Sequence, residues 1–551
     1  MLSEGHDTLG GDASLSNAHS DSESEIFGTF VTSLSLSGDE ELEHLSADDH
    51  DFRAEQNLDA PVLKLPVELL VEIFTFHSAH FGLSITPHGV FAPTLFTAHV
   101  CHLWREVTLS TPLLWANMTV DLAHNAHFHI ELVKLYIRQS LSAPLMLRVQ
   151  ALKYDITGRE GFSDEDEVGE AGWDIFRTLL NEHARWYKVS VKLRWAFFSQ
   201  RYKIDLPENV QDNFICLEAL EIDWESSYWP RRTTNWLFDL FKNAPCLHTL
   251  SLPHYDTAFP FPVNQLKSVS LSDDDGWIST PRMLRLCSAI EEFFLVCGPE
   301  RIWTTPNIVV ASATLKSLTM FMKDFVPAYE TLSTLILPSL TTLRLTTPDP
   351  GADVFSVARS GSADWKRKHW FRNLTEMLQR SSCPLQSLSV DGNLFLEDQL
   401  LQLFALTPQL THLCLRTLSW YQPIITDNLF QALVRPQLED PTAETPIANL
   451  LPNLTSMETY ISDIDHISPY KFATPNSILS MIESRRSSYH SISTDMARNS
   501  SSAQLETFEF SAEFDTEQGV RWARSFLPEV ELRVRELQKI GVLKIDVKVN
   551  A

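Results

Sequence analysis

The chain has 551 residues, 44% of them hydrophobic, and a formal net charge of −27 from 44 basic and 71 acidic side chains. That length exceeds one compact core and suits a small domain joined to a larger one or to a repeat array. The charge argues against non-specific nucleic-acid binding, which needs clustered Lys and Arg to release counterions, and against docking on anionic membranes.

Residues 1–60 hold fifteen Asp or Glu against one basic residue, Arg53. With few apolar side chains they cannot offset ordering entropy by burial, so a disordered acidic tail is expected. One apolar island, Ile26, Phe27, Phe30, Val31 and Leu34, falls at helical spacing. It reads either as a short partner-binding helix or as an incidental patch. Ser20, Ser22 and Ser37 each have Glu three positions on, a pattern open to acid-directed phosphorylation and equally that of a solvated tail. No basic-then-apolar leader and no run of 18 apolar residues is visible, so neither a secretory signal nor a membrane span is expected. The seven cysteines, Cys101, Cys216, Cys246, Cys287, Cys297, Cys383 and Cys414, form no CxxC pair. They read as free thiols in a reducing compartment, cytoplasmic or nuclear.

Residues 61–117 change character. Leu69, Leu70, Ile73 and Phe74 fall on one helical face, with Pro66 suited to the first turn. An irregular stretch follows from His77 to Pro93, expected to bulge outward between helices. Val100, Leu103, Trp104 and Val107 then recur at helical spacing, and a third short helix can start at Ser110 or Thr111, with Pro112 just inside. Three short helices make a marginal core that would gain from a partner.

Residues 118–184 read as a connecting region with an acidic loop at 155–172. His124, His127 and His129 lack accompanying ligands beyond Asp121 and Glu131, and read as a polar connection rather than a zinc site. From about residue 185 a unit recurs: apolar, two variable, apolar, one variable, apolar. It appears as LEALEI from Leu217, LHTLSL from Leu247, LKSVSL from Leu266, IEEFFL from Ile290 and LKSLTM from Leu315. It continues as LTTLRL from Leu340, LQSLSV from Leu385 and LTHLCL from Leu410, with weaker copies from Trp186, Leu454 and Leu505. The copies at 266, 290, 315 and 340 step by 24, 25 and 25, the signature of a solenoid with one short strand per unit. Segments 235–245 and 281–290 carry helical apolar faces between strands, and VLKIDVKVN alternates as a last strand. Stretches 347–366 and 485–503 read as exposed loops. Asp273-Asp274-Asp275-Gly276 reads as a turn, because Leu284 stands where a calcium loop needs a bidentate Glu. No GxxxxGK[ST], GxSxG, HExxH or GxGxxG occurs, and no constellation argues for an enzyme.

The stretch from Leu65 to Trp115 resembles the F-box. Leu65-Pro66, Glu68 and Ile73-Phe74 match its opening, and Val100-Cys101-His102-Leu103-Trp104 with Leu114-Trp115 match its close. The overall look is similar to the large F-box families of mushroom-forming fungi. Residues 185–550 resemble leucine-rich repeats, but of the positions where the regular repeat keeps a turn Asn or Cys, only Asn393 complies. The fold class expected is therefore α/β: a small all-α three-helix F-box at 61–117, then a leucine-rich-repeat-like α/β solenoid at 185–551.

The resemblance implies a substrate-recognition adaptor of an SCF-type cullin ubiquitin ligase, not an enzyme, with no cofactor and no metal. It implies that Leu65, Pro66, Glu68, Leu69, Ile73, Phe74, Val100, Cys101 and Trp104 contact the SCF adaptor subunit, with Leu114 and Trp115 near the edge. Leu70 and Leu103 read as core. The cullin would be reached through that adaptor, and an unknown protein substrate would sit on the repeats. The variable positions Glu221, Ser251, Thr319, Arg344, Ser389 and Cys414 are candidates for that surface. An F-box scaffold acting outside ubiquitination is the alternative.

Overall fold

The computed structural model describes residues 61–80, 82–86, 89–123, 127–151, 168–194, 214–225, 236–253, 255, 259–273, 280–297, 309–323, 325–347, 362–391, 394–417, 424–435, 449–462, 473–486, 504–514 and 544–549. The expected acidic tail, with its apolar island and serines, lies outside them, as do Asn393 and the Asp274–Gly276 turn. The chain divides between Val210 and Gln211 into two compact units, each of mixed α/β structure. Among the described residues no helix is long and apolar enough to cross a membrane.

In the first unit a 3-10 turn, Pro61–Lys64, leads into α1 (Val67–His80). The Pro66 carbonyl accepts the first helical amides, from Leu69 and Leu70. The stretch from His77 to Pro93 is not an outward bulge. It adds a last turn to α1 and then forms a hairpin of β1 (Leu83–Thr86) and β2 (Gly89–Phe91). Leu83 and Ile85 alternate with Ser84 and Thr86, so one face of β1 can be buried, and it is. That face is aligned by parallel pairing with β3 (Asn117–Asp121). Gly82 permits the approach, since a Cβ there would run into the Asn117 carbonyl oxygen. The Asn117 amide donates to the Ser78 carbonyl at 3.1 Å, tying the end of α1 to the start of β3.

α2 (Pro93–Ala98) and α3 (His102–Leu109) follow, then a 3-10 turn at Pro112–Trp115. The helix expected to carry Val100 starts only after it: Cys101, in extended conformation, is the N-cap. α4 (His127–Gln139), β4 (Leu145–Ala151), α5 (Glu170–Leu180) and β5 (Trp186–Arg194) complete the unit, with β3, β4 and β5 parallel in chain order. The segment 118–184, expected as a connection, therefore holds strands and helices of the same sheet. The acidic loop is also shorter than expected: Glu170 begins α5, and Gly172 is buried where a Cβ would strike the Leu122 carbonyl. Leu83, Met118, Leu147 and Val189 form one interior row, and Ile85, Val120, Val149 and Val191 the next.

The second unit repeats this alternation. Its strands are β6 (Ala219–Glu225), β7 (Thr249–Leu252), β8 (Ser268–Asp273), β9 (Glu292–Cys297), β10 (Val310–Ala311) and β11 (Ser317–Met322). They continue as β12 (Leu335–Ile336), β13 (Thr342–Thr346), β14 (Ser387–Asp391), β15 (His412–Thr417), β16 (Ser456–Ser462), β17 (Thr507–Phe514) and β18 (Lys544–Val549). All but β10 and β12, which pair with each other, form a large parallel sheet in chain order. The helices between them are α6 (Trp236–Leu240), α7 (Thr280–Leu286), α8 (Phe325–Thr334), α9 (Ser362–Ser381), α10 (Glu397–Leu406), α11 (Asp427–Leu433) and α12 (Pro475–Arg486). Two stretches expected as exposed loops thus overlap helices: 347–366 runs into α9, and 485–503 starts inside α12.

The first apolar residue of each repeat, from Leu217 to Leu505, is buried just ahead of its strand. The next two enter continuous rows, one of which runs Leu250, Val269, Phe293, Leu318, Leu343, Leu388, Leu413, Met457 and Phe508. Its neighbour, from Leu252 to Phe510, admits one polar residue, Thr459, whose hydroxyl donates to the Glu509 carbonyl at 3.3 Å.

Arginines tie successive helix ends together. The last carbonyls of a helix lack intrahelical partners and attract cations. In the first unit Arg185 donates to Ala143 O, just past α4, at 2.9 and 3.1 Å. In the second, Arg380 donates to Leu332 O and Ser333 O at the end of α8, at 2.9 and 3.0 Å. Arg485, expected in a loop, is fully buried and donates to Leu433 O at 2.7 Å, Leu451 O at 2.8 Å and Leu450 O at 2.6 Å. Burial, aided by the charge of Arg435, brings its pKa down to about 10.

Candidate docking surface on the helical module

α1, α2, α3 and the Pro112–Trp115 turn pack around Leu70, Phe74, Leu95, Val107 and Leu114. Thr94 Oγ1 donates to Leu114 O at 2.9 Å, and Arg105 Nε to Ala98 O at 3.1 Å, so the links between helices are hydrogen-bonded as well as packed. The ring of Trp104 meets Phe74 edge-on at 4.8 Å.

The four apolar residues expected on one face of α1 divide between two. Leu70 and Phe74 point into the module, while Leu69 and Ile73 remain 44% and 51% exposed. Phe76, one turn beyond Ile73 and two beyond Leu69 on the same stripe, is 72% exposed. A helix with apolar stripes on both sides is built to be covered on both sides. Pro66 and Glu68 are exposed beside that outer stripe, and Leu65 is half-buried. Val100, freed from the helix, is 59% exposed, and Cys101 is half-buried. Trp104 is half-buried, held by Phe74 on one side.

Leu114 and Trp115 are placed differently from the expectation of an edge contact: both are buried. Trp115 stacks edge-on with Tyr136 of α4 at 4.9 Å and donates from Nε1 to Thr108 O at 2.9 Å. It closes the module onto the sheet and has no face left for a partner. Phe74 is likewise interior. Exposed apolar residues that the motif did not single out include Val67, Phe76, Phe96, Leu109 and Leu113. For Phe76 the signal was present, at three positions from Ile73; for the others it depended on how the helices cross.

Among the described residues no group of three His, Cys, Asp or Glu is placed to hold a metal. His129 is buried, and burial lowers its pKa; His124 lies outside the described residues. Asp121 is buried and its Oδ1 accepts from Ala123 N at 2.8 Å. All seven cysteines are free, and burial pushes the Cys287 thiol up to about 12.

The second unit offers an extended polar face. Glu221, Ser251, Thr319, Arg344, Ser389 and Cys414 stand in one register row across the sheet, joined by Ser270 and Phe294. They alternate with the interior rows and so share the outward side. No known family model matches the chain, and no curated protein matches it.

Proposed function

We propose that the protein is a substrate-recognition subunit of an SCF-type ubiquitin ligase. In this reading α1–α3 are an F-box that docks the SCF adaptor, and the parallel array of the second unit is a leucine-rich-repeat-like solenoid that holds a client protein. No covalent chemistry is required of this chain. Holding a client beside a charged conjugating enzyme raises its local concentration, which is worth orders of magnitude in rate without a catalytic side chain.

The observation that carries the reading is the outer stripe of α1. Leu69, Ile73 and Phe76, with Val100 nearby in sequence to Trp104, are apolar and exposed on a module whose inner stripe is already filled. Water-facing apolar residues grouped on one element mark an interaction surface. Leu69, Ile73 and Val100 are motif positions that the F-box resemblance assigns to adaptor contact, and so is Pro66, exposed just ahead of α1.

The test is co-expression of the full chain with the SCF adaptor subunit, followed by co-purification. A stable complex is expected for the native chain and for Leu113→Ala. It is expected to be lost for Leu69→Glu and Ile73→Glu, both exposed, with unchanged melting. Absence of a complex with the folded native chain overturns the reading. A complex that never recruits cullin would select the scaffold alternative.

A further inference from the structure

The outward face of β6–β17 carries hydroxyls and carboxylates but little positive charge. Among the described outward residues of those strands, Arg344 and Arg416 are the Lys or Arg present. β14 runs between them: Arg344 of β13 stands opposite Ser389, and Arg416 of β15 opposite Asp391. With strands about 4.8 Å apart and a rise of about 3.3 Å per residue, the two arginine Cα atoms are about 12 Å apart.

Asp391 lies low between them, 2% exposed. Its Oδ2 accepts from Thr347 N at 2.8 Å, and its Oδ1 has no hydrogen-bond partner. Burial raises its pKa, while the charges of Arg416 and Arg344 oppose the rise. The carboxylate therefore attracts both cations toward β14 from beneath, and it is too buried to cover their outer sides. Neither guanidinium donates a hydrogen bond to a described residue. Two planar donor forks, on the exposed Arg344 and the half-buried Arg416, thus keep their hydrogen-bonding capacity, the chemistry that carboxylates and phosphates fit.

We propose that Arg344 and Arg416 form an anion-binding pair that receives an extended acidic segment of a partner protein. The span suits it: two acidic residues four apart in an extended chain are about 13 Å apart, close to the arginine separation. Ser389 and Thr319 lie in the same row as Arg344, and Ser387 and Thr342 in the row beside it. Of these, Ser389 stands on the strand between the two arginines and offers its hydroxyl to the main chain between the acidic groups. The other described outward residues of β6–β17 include no Lys or Arg, so on this face an acidic segment finds paired cations at this place, which confers selectivity as well as affinity. The inference deepens the client-binding half of the proposed function without depending on adaptor docking.

The experiment uses the full chain without any adaptor, so its failure is separate from failure of the F-box reading. Fluorescence anisotropy would follow the labelled peptide Gly-Glu-Ser-Ser-Ser-Glu-Gly and versions with Gln, Lys or phosphoserine at both Glu positions. The Glu peptide is expected to bind saturably, with the Gln and Lys versions about 10-fold weaker or more. Arg344→Gln and Arg416→Gln should each weaken the Glu peptide about 10-fold with unchanged melting, and added salt should weaken it further. Tighter binding of the phosphoserine version, equally dependent on both arginines, would identify phosphate as the preferred anion at the same pair. No saturable binding of either anionic peptide, or equal binding by the double variant, overturns the proposal.

Discussion

Trp115 and Trp186 stand in the same relation to the helix before them. Each indole Nε1 donates to the backbone carbonyl seven residues earlier, Thr108 O at 2.9 Å and Leu179 O at 3.0 Å. Trp115 leads into β3 and Trp186 opens β5, two strands of one sheet. Both rings are buried and both satisfy a carbonyl at the end of a preceding helix. Trp115 is therefore the first of the strand-leading residues as much as the last of the helical module. Trp115→Phe is expected to keep the packing and lose the bond, costing about 1–2 kcal/mol, and Trp115→Ala about 3–5 kcal/mol. Urea unfolding measures both. The Phe variant should still bind the adaptor at native affinity.

Exposed and buried apolar residues of α1 should separate affinity from stability. Ile73→Ala and Leu69→Ala are expected to weaken adaptor binding by about 1–2 kcal/mol each while leaving the melting temperature in place. Leu70→Ala, one residue away but fully buried, is expected to cost about 2–5 kcal/mol of stability. Calorimetric titration of the adaptor, paired with thermal melts, reads the two effects. Loss of stability in Ile73→Ala would instead make that side chain part of the module's core.

Arg485 should be needed for the joint around α11 and α12. Arg485→Met removes the donors to Leu433, Leu450 and Leu451 and leaves the buried Leu433 carbonyl unpaired, at a cost of about 1–3 kcal/mol. Arg485→Lys should recover only part, because an ammonium cannot span three carbonyls as a planar fork does. Hydrogen exchange at Leu429 and Phe430 would show whether the loss is confined to this joint.

Asp391 gives a pH signature of defined sign. Its folded pKa is raised by burial above the unfolded value, so the folded state holds the proton more tightly. The stability this contributes is complete below the unfolded carboxylate pKa and is lost as pH rises through the folded one. Asp391→Asn keeps an acceptor for Thr347 N and removes the charge. It should melt higher than the native chain at neutral pH, and the gap should narrow as pH falls into the carboxylate range. A gap independent of pH would mean that the Asp391 carboxyl binds its proton equally in the folded and unfolded chain.

The strand array was legible because its signal is local. Leu220 and Ile222, or Leu388 and Val390, alternate within a few residues, and each copy of the repeat from Trp186 to Leu505 falls on a strand. The helical module was legible in part. Its helices could be placed, but helical spacing alone put Leu69 and Leu70 on one face; the division of Leu69 to a contact and Leu70 to the core came with the resemblance, since adjacent helical positions differ by only 100° and the partner elements decide which side is filled. The first strands were obscured for two reasons. Trp115, Met118 and Val120 match the repeat, yet Leu114-Trp115 also matches the close of the F-box pattern, and one reading hid the other. β1 is four residues long, and its pairing with β3 joins residues more than thirty positions apart, which no local spacing encodes.

β1 also has a mechanical consequence. It is drawn from the chain just after α1 and laid beside β3, so α1 is attached to the sheet of its own unit by a strand pair rather than by a pivot. Turning α1 against β3 would require the Leu83, Ser84 and Ile85 pairings to slide in shear. A body seated on Leu69 and Ile73 would therefore take its compass bearing from β3, β4 and β5, and torque applied to that body would be carried by the ladder.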